Sequence, residues 1–167
     1  MEGKPDWLSG FPVQIYCNRS DLIYPPQPPR MGPSAYKADD LYKNNEKVLG
    51  RILVENNCRD QIYIATKLPQ YMVRSVAQAE KIFNQELELL QTDHIDYYLM
   101  HMLNDLASWN RLKAMGLEDW IKEKMDSGKI RNIGFSYHGN TENFKPVVDV
   151  FDWDFCQIQY NYLDENI

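Results

Sequence analysis

The chain has 167 residues, of which 44% are hydrophobic and 13% aromatic, and it carries a formal net charge of -6. This length and composition predict one globular domain with a sizeable core and argue against a disordered chain. The acidic balance excludes nucleic acid or an anionic membrane as the expected main partner. Three widely spaced cysteines and the lack of any apolar run of about 20 residues predict a reduced, cytoplasmic protein with no membrane span.

Residues 1–40 differ in composition from the rest of the chain. Proline lacks an amide hydrogen, so the stretch YPPQPPRMGP cannot hold a helix or a central strand. We therefore predict an irregular, proline-rich arm over residues 1–40 and a folded domain over residues 41–167. The prolines that punctuate this arm are Pro12, Pro25, Pro26, Pro28, Pro29 and Pro33.

Regular structure is predicted from Asn44 or Asn45, either of which can cap a helix. The helix places Val48, Leu49, Ile52 and Leu53 on one face. A strand over residues 61–66 and a second helix from Ser75 follow, and Ser75 with Gln78 fits a capping box. The predicted buried stripe of this second helix consists of Val76, Ala79, Ile82, Phe83, Leu87 and Leu90.

The apolar run over residues 95–100 is too short for an ordinary helix and is rich in strand formers, so it predicts a buried strand. His101 ends that strand. The remaining predicted elements are a helical turn around Trp109 and Leu112, a helix over residues 117–127 stopped by Gly128, a strand over 130–135, a helix over 141–151 and a strand over 155–159.

The four predicted strands finish close to polar side chains, namely Lys67, His101, Ser136 and Gln157. Strands that alternate with helices at intervals of roughly 25 to 35 residues are typical of βα units in a parallel sheet, where chemistry lies at the carboxyl ends. From residue type alone, Lys67 could form a Schiff base, anchor a phosphate or shift a neighbouring pKa, and His101 could be a base, an orienting group or a metal ligand.

Four motifs narrow these choices. They are ATKLP at residues 65–69, LQTDHIDYYLMH at 90–101, GKIRNIGFSYH at 128–138 and CQIQYNYLDE at 156–165. Together with NEKVLGRIL at 45–53, they resemble the aldo/keto reductase family, most closely its bacterial branch whose members often carry an added iron-sulfur domain. The resemblance covers about residues 44–165. No CxxCxxC cluster occurs in the sequence, so no metal site is predicted.

The resemblance implies family strands three to six of a TIM-type (β/α)8 barrel, with about four parallel βα units where a complete barrel of about 250 residues has eight. It implies reduction of an aldehyde or ketone to an alcohol with NADP(H), NAD(H) being the alternative cofactor. Lys67 matches the lysine that lowers the pKa of a tyrosine acid, and His101 matches the histidine that orients the carbonyl. Ser136 and Gln157 match positions that bind the nicotinamide carboxamide.

The sequence departs from the family around that tyrosine. The pattern Asp-Thr-Ala-x-x-Tyr should precede NEKVLG, but one alignment puts Pro33 and Ala38 at its aspartate and tyrosine, and the other puts Lys37 and Tyr42 there. Neither alignment restores the pair, and Tyr42 is the candidate acid. Tyr137 stands where many members have asparagine, and the segment that grips the adenosine phosphate has no counterpart in the sequence.

The sequence therefore predicts an oxidoreductase of aldo/keto reductase type that is incomplete or inactive by itself and whose substrate is a small carbonyl compound. The alternative is a non-catalytic interaction or nucleotide-sensing protein built on a partial barrel. Four parallel strands with two open edges expose unpaired backbone groups, which favours self-association.

Overall fold

The computed structural model describes the backbone of residues 14–17 and 38–158 and the side chains of residues 45–158. Within these residues, five strands form one sheet in the order β1-β2-β3-β4-β5. Strands β2 to β5 are parallel neighbours, which confirms the predicted set of four parallel βα units. The strands are β1 Gln14–Cys17, β2 Ile62–Leu68, β3 Tyr97–Met100, β4 Ile133–Tyr137 and β5 Phe155–Ile158.

Helices connect the parallel strands, and short 3-10 turns at Arg59–Gln61 and Gln70–Met72 flank β2. The predicted helical turn around Trp109 is a full helix, because Asp105 caps it by accepting a hydrogen bond from Ser108 N. None of the helices in the described part of the chain is long and apolar enough to cross a membrane. The helices are α1 Ala38–Asn56, α2 Val76–Leu90, α3 Leu106–Ala114, α4 Leu117–Asp126 and α5 Thr141–Asp149.

Helix α1 begins at Ala38, earlier than the predicted start at Asn44. The predicted buried face is wrong at Val48, which is 46% exposed. The reason is a close approach between α1 and α2, since a Cβ atom on Gly50 would lie 2.1 Å from the carbonyl oxygen of Leu89. The two helices therefore meet along a stripe centred on Gly50, and Val48, which lies about 200° around the helix axis from Gly50, is on the opposite side.

Strand β1 falls inside the arm that was predicted to be irregular. Gln14–Cys17 pairs antiparallel with β2, so the expectation of two open sheet edges is wrong for the β2 edge. The run QIYC lies between Pro12 and Pro25, and its amides are free to donate to a neighbouring strand. The rest of the predicted arm, residues 1–13 and 18–37, lies outside the described residues, and the boundary at residue 40 stays a prediction.

The two faces of the sheet carry different side chains. One face, represented by Ile64, Leu68, Met100 and Phe135, is fully buried against the helices. Because side chains alternate along a strand, the other face carries the intervening residues, and we call it the inner face. Aromatic rings line this face near the amino ends of the strands, with the Tyr97 ring centroid 6.1 Å from that of Tyr63 and 5.4 Å from that of Phe155. Lys67, Leu99, His101, Ser136 and Gln157 follow on the same face toward the carboxyl ends of the strands.

A buried carboxylate joins the amino ends of β2, β3 and β4. Asp96 is 1% exposed and accepts hydrogen bonds from Arg59 Nη2 at 2.8 Å, from Ile64 N at 2.9 Å and from Arg131 Nη1 at 2.9 Å. Asn132 Nδ2 also donates to the Asp96 carbonyl oxygen at 2.8 Å. Both carboxylate oxygens are therefore matched by positive charge or backbone amide, as a buried acid requires.

Candidate active site

Lys67 and His101 lie at the carboxyl ends of adjacent strands. Lys67 is the last but one residue of β2 and pairs in register with Leu99 of β3. The amide of His101 donates to the Leu68 carbonyl oxygen at 2.9 Å, which continues the β2–β3 ladder one residue beyond β3. Leu99 and His101 are two residues apart and therefore point to the same face. Lys67 and His101 thus occupy neighbouring positions on the inner face.

The surroundings of His101 keep its imidazole neutral near pH 7. Burial is the main cause that lowers the pKa of His101 to about 4, and the charges of Lys67 and His138 lower it further. A neutral imidazole can donate a hydrogen bond from one ring nitrogen and accept at the other. The geometry therefore suits a group that orients or polarises a carbonyl oxygen.

Lys67 is half-buried, and burial lowers the pKa of its ammonium group. Among the described side chains, no carboxylate forms an ion pair with Lys67, whereas the buried Lys124 pairs with Glu80 at 2.9 Å. A buried cation without a nearby acid can act strongly on the next titratable group. Lys67 is therefore placed to influence a neighbouring acid or a bound ligand.

Ser136 and Gln157 occupy the same row of the sheet. They are register partners in the β4–β5 ladder, and Ser136 is 1% exposed. Ser136 Oγ accepts a hydrogen bond from Met102 N at 2.8 Å, a backbone role that the sequence analysis did not predict. The hydroxyl hydrogen of Ser136 can still be donated to another acceptor.

The two tyrosines discussed from the sequence have different outcomes. The backbone of Tyr42 lies in α1, but its side chain is outside the described residues, so its role as the acid stays a prediction. Tyr137 lies on the helix-facing side of β4, where its ring packs against Phe144 with centroids 5.1 Å apart. Its hydroxyl donates to the Asn140 carbonyl oxygen, so Tyr137 is a packing residue beside Ser136.

Sequence reasoning missed the loops around His101. Tyr71 follows β2, and its ring centroid lies 5.9 Å from that of His101. Gln70, in the same 3-10 turn, donates from Nε2 to the Met102 carbonyl oxygen at 3.1 Å. The position of Tyr71, four residues after Lys67, could have marked it as a candidate. No local pattern distinguishes Gln70 from an exposed glutamine.

A parallel α/β sheet that gathers a lysine, a neutral histidine and polar side chains at its carboxyl ends has the arrangement of an α/β enzyme active site. The Aldo/keto reductase family matches residues 36–167, which is more than half of the chain. The chain therefore belongs to the aldo/keto reductase family, and the resemblance found in the motifs is confirmed.

Similar proteins agree with this assignment. The aldo-keto reductase YhdN of Bacillus subtilis is 31% identical over 102 residues, which are 57% of this chain and 29% of that protein. A Klebsiella pneumoniae aldo/keto reductase crystallised with NADP and acetate matches 72% of this chain and 40% of its own chain, at 24% identity and a TM-score of 0.55. The holo form of a Bacillus halodurans aldo-keto reductase matches 70% and 37%, at 26% identity and the same TM-score.

The chain matches only part of the length of each of these relatives. The chain spans 29% of the curated relative and about 40% of the structural neighbours that it matches. The structural match confirms the predicted fold class, a partial barrel of the TIM type. The activity of the whole relatives enters below as a proposal.

Proposed function

We propose that the chain is the central part of an NAD(P)H-dependent oxidoreductase that reduces a small aldehyde or ketone to the alcohol. One observation carries this proposal: Lys67 and a neutral His101 share the inner face at the carboxyl ends of adjacent strands in a chain of this family. NADP(H) is the proposed cofactor, because several structural neighbours were crystallised with NADP or NADPH.

The residues have separate roles in the proposed reaction. Hydride addition to a carbonyl carbon produces an alkoxide, so a hydrogen-bond donor at the oxygen and a nearby proton source lower the barrier. Neutral His101 donates to the carbonyl oxygen. Lys67 lowers the pKa of the tyrosine acid, for which Tyr42 is the candidate, because an ordinary tyrosine with a pKa near 10 is a weak acid at neutral pH.

The proposed contacts for the cofactor fit its carboxamide. A carboxamide needs a donor for its oxygen and an acceptor for its amino group. The Ser136 hydroxyl still has its hydrogen to donate, and its register partner on β5, Gln157, has an amide that carries both kinds of group. The nicotinamide supplies the hydride, and these side chains determine which face of the ring is presented.

A second proposal is nucleotide binding without turnover. Lys67 has no acidic partner among the described side chains, and neither alignment supplies the family's aspartate. This supports the proposal that these 167 residues are an incomplete or inactive portion of a reductase. A cytoplasmic location and self-association through the β5 edge of the described sheet belong to this proposal as well.

The proposals are separated by an assay of carbonyl reduction. Purified chain is offered a panel of aldehydes and ketones with NADPH, and oxidation of the cofactor is followed by absorbance. An active site built on Lys67 predicts that Lys67→Met lowers the rate by about 100-fold. Lys145→Met is the control, since Lys145 is an exposed lysine that pairs with Asp149 on α5. Binding of NADPH without any turnover supports the second proposal, and an equal rate in the Lys67 variant contradicts the first.

A further inference from the structure

The residue that follows His101 has an unusual backbone conformation. Met102 has a φ of +54°, in the left-handed region that residues other than glycine rarely adopt. Its side chain is 41% exposed, so side-chain packing does not hold the backbone in this state. Hydrogen bonds to the peptide groups must stabilise it instead.

Hydrogen bonds from β4 and from the turn after β2 meet at Met102. Its amide donates to Ser136 Oγ at 2.8 Å, and its carbonyl oxygen accepts from Gln70 Nε2 at 3.1 Å. Ser136 belongs to β4, whereas Gln70 lies in the turn after β2. The peptides that follow His101 are therefore fixed from both sides, and the direction of the imidazole depends on this backbone.

Arg111 of α3 sets the orientation of Gln70. Arg111 Nη2 donates to Gln70 Oε1 at 2.7 Å, and because a guanidinium only donates, the Gln70 amide nitrogen is left for Met102. Arg111 also donates to the carbonyl oxygens of Gln70 at 2.9 Å and Val73 at 2.8 Å, which closes the turn. Gln70 is 3% exposed, so it cannot replace a lost partner by water from the bulk.

We propose that Gln70, oriented by Arg111, is a positioning residue for His101 that acts through the left-handed peptide of Met102. The inference rests on the proposed function, in which His101 donates to the carbonyl oxygen. The same turn carries Tyr71, whose ring centroid is 5.9 Å from that of His101. A displaced turn therefore changes both the backbone and the ring that neighbours the imidazole.

The titration of His101 tests this inference without cofactor or substrate. Gln70→Met keeps the side-chain volume and removes the hydrogen bonds, while Arg111→Lys keeps the charge and removes the planar fork that orients Gln70. We expect both variants to raise the pKa of His101 from about 4 toward its ordinary value of 6.5, by roughly half a unit or more, because the ring becomes less buried. Histidine NMR spectra recorded over a series of pH values measure this shift.

Two further variants make the test specific. Gln78→Met removes another glutamine hydrogen bond after β2, the one from Arg74 N to Gln78 Oε1 at 3.0 Å, and should leave His101 unchanged. Adding Met102→Gly to the Gln70 variant should restore the titration, since glycine adopts a positive φ without strain. Unfolding curves establish whether each variant is folded. If Gln70→Met does not fold, the titration of Arg111→Lys provides the test.

The outcomes separate this inference from the proposed function. An unchanged His101 titration in both variants, or no restoration by Met102→Gly, overturns the inference. A shifted titration in a chain that reduces no carbonyl supports the positioning role and contradicts the proposed reaction. In an active chain, Gln70→Met should lower kcat about tenfold with little change in the KM for NADPH. A kcat equal to that of the unsubstituted chain would overturn the positioning role while leaving the reductase assignment in place.

Discussion

The two ends of the parallel sheet differ in how the buried charges of their side chains are paired. At the amino end, the Asp96 carboxylate is matched by Arg59, Arg131 and the amide of Ile64. At the carboxyl end, half-buried Lys67 has no acidic partner among the described side chains, and its charge helps to keep His101 neutral. Matched charges favour stability, and unmatched charges at a strand end are available to a ligand. The comparison indicates a stabilising amino end and supports the site proposed at the carboxyl end.

The largest expected effect is the loss of the Asp96 carboxylate. Asp96→Ala leaves two arginines and a backbone amide without their acceptor, so we expect the free energy of unfolding to fall by about 3–5 kcal/mol. Urea denaturation measures the change. The matched control is Arg131→Ala, which leaves the Arg59 and Ile64 hydrogen bonds to Asp96 in place and should therefore cost less than Asp96→Ala. Equal losses in the two variants would contradict a central role for Asp96.

Glu86 sharpens the comparison, because it is a buried acid that forms no ion pair with any cation among the described side chains. Its carboxylate accepts from the Tyr98 hydroxyl at 2.7 Å, and Glu46 of α1 is the other charged group acting on it. Burial, followed by the charge of Glu46, raises the pKa of Glu86 well above its ordinary 4.5, and the Tyr98 hydrogen bond opposes this. The stability contributed by protonated Glu86 is complete below pH 4.5 and is lost as the pH rises toward the folded-state pKa.

Glu86→Gln should therefore remove part of this pH dependence. The glutamine carbonyl can still accept from Tyr98, and it carries no charge to desolvate. Above pH 4.5 we expect the variant to gain stability relative to the unsubstituted chain, by up to about 1.4 kcal/mol per pH unit until the folded-state pKa is reached. Denaturation at several pH values measures this gain. Parallel stability curves for the two proteins would show that Glu86 is not held protonated.

A smaller effect is expected at His101 when the charge of Lys67 is removed. Burial is the larger cause of the low pKa of His101, and the Lys67 charge is the second. Lys67→Met should therefore raise the pKa of His101 from about 4 while leaving it below 6.5. Histidine NMR measures the shift, with Lys145→Met as the control. No change on loss of Lys67 would place the two groups too far apart to cooperate.

The parallel part of the fold could be predicted from local patterns. Apolar runs located β2 to β5, and Gly128 has the predicted left-handed conformation with a φ of +73°. The capping box is half present, since Ser75 accepts from Gln78 N, but Gln78 Oε1 accepts from Arg74 N. Patterns of this kind report burial and turn geometry along the chain, and those properties depend mainly on neighbouring residues.

The features that the sequence did not predict depend on distant partners. Strand β1 depends on pairing with β2, and the exposure of Val48 depends on where Gly50 lets α1 approach α2. The role of Gln70 depends on Met102 and Arg111, which lie 32 and 41 residues away. No local periodicity contains such information, so the candidate residues on the strands were predictable and the loop contacts that hold them were not.

The central claim, that the carboxyl ends of these strands form a nicotinamide site, is tested most directly by titrating the purified chain with NADPH. Fluorescence energy transfer from Trp109, Trp120 and Trp153 to the bound cofactor reports binding. We expect saturable transfer that Gln157→Ala weakens and Lys145→Met does not. Transfer that never saturates, or that is the same in the Gln157 variant, would contradict the assignment of this end of the sheet as the cofactor site.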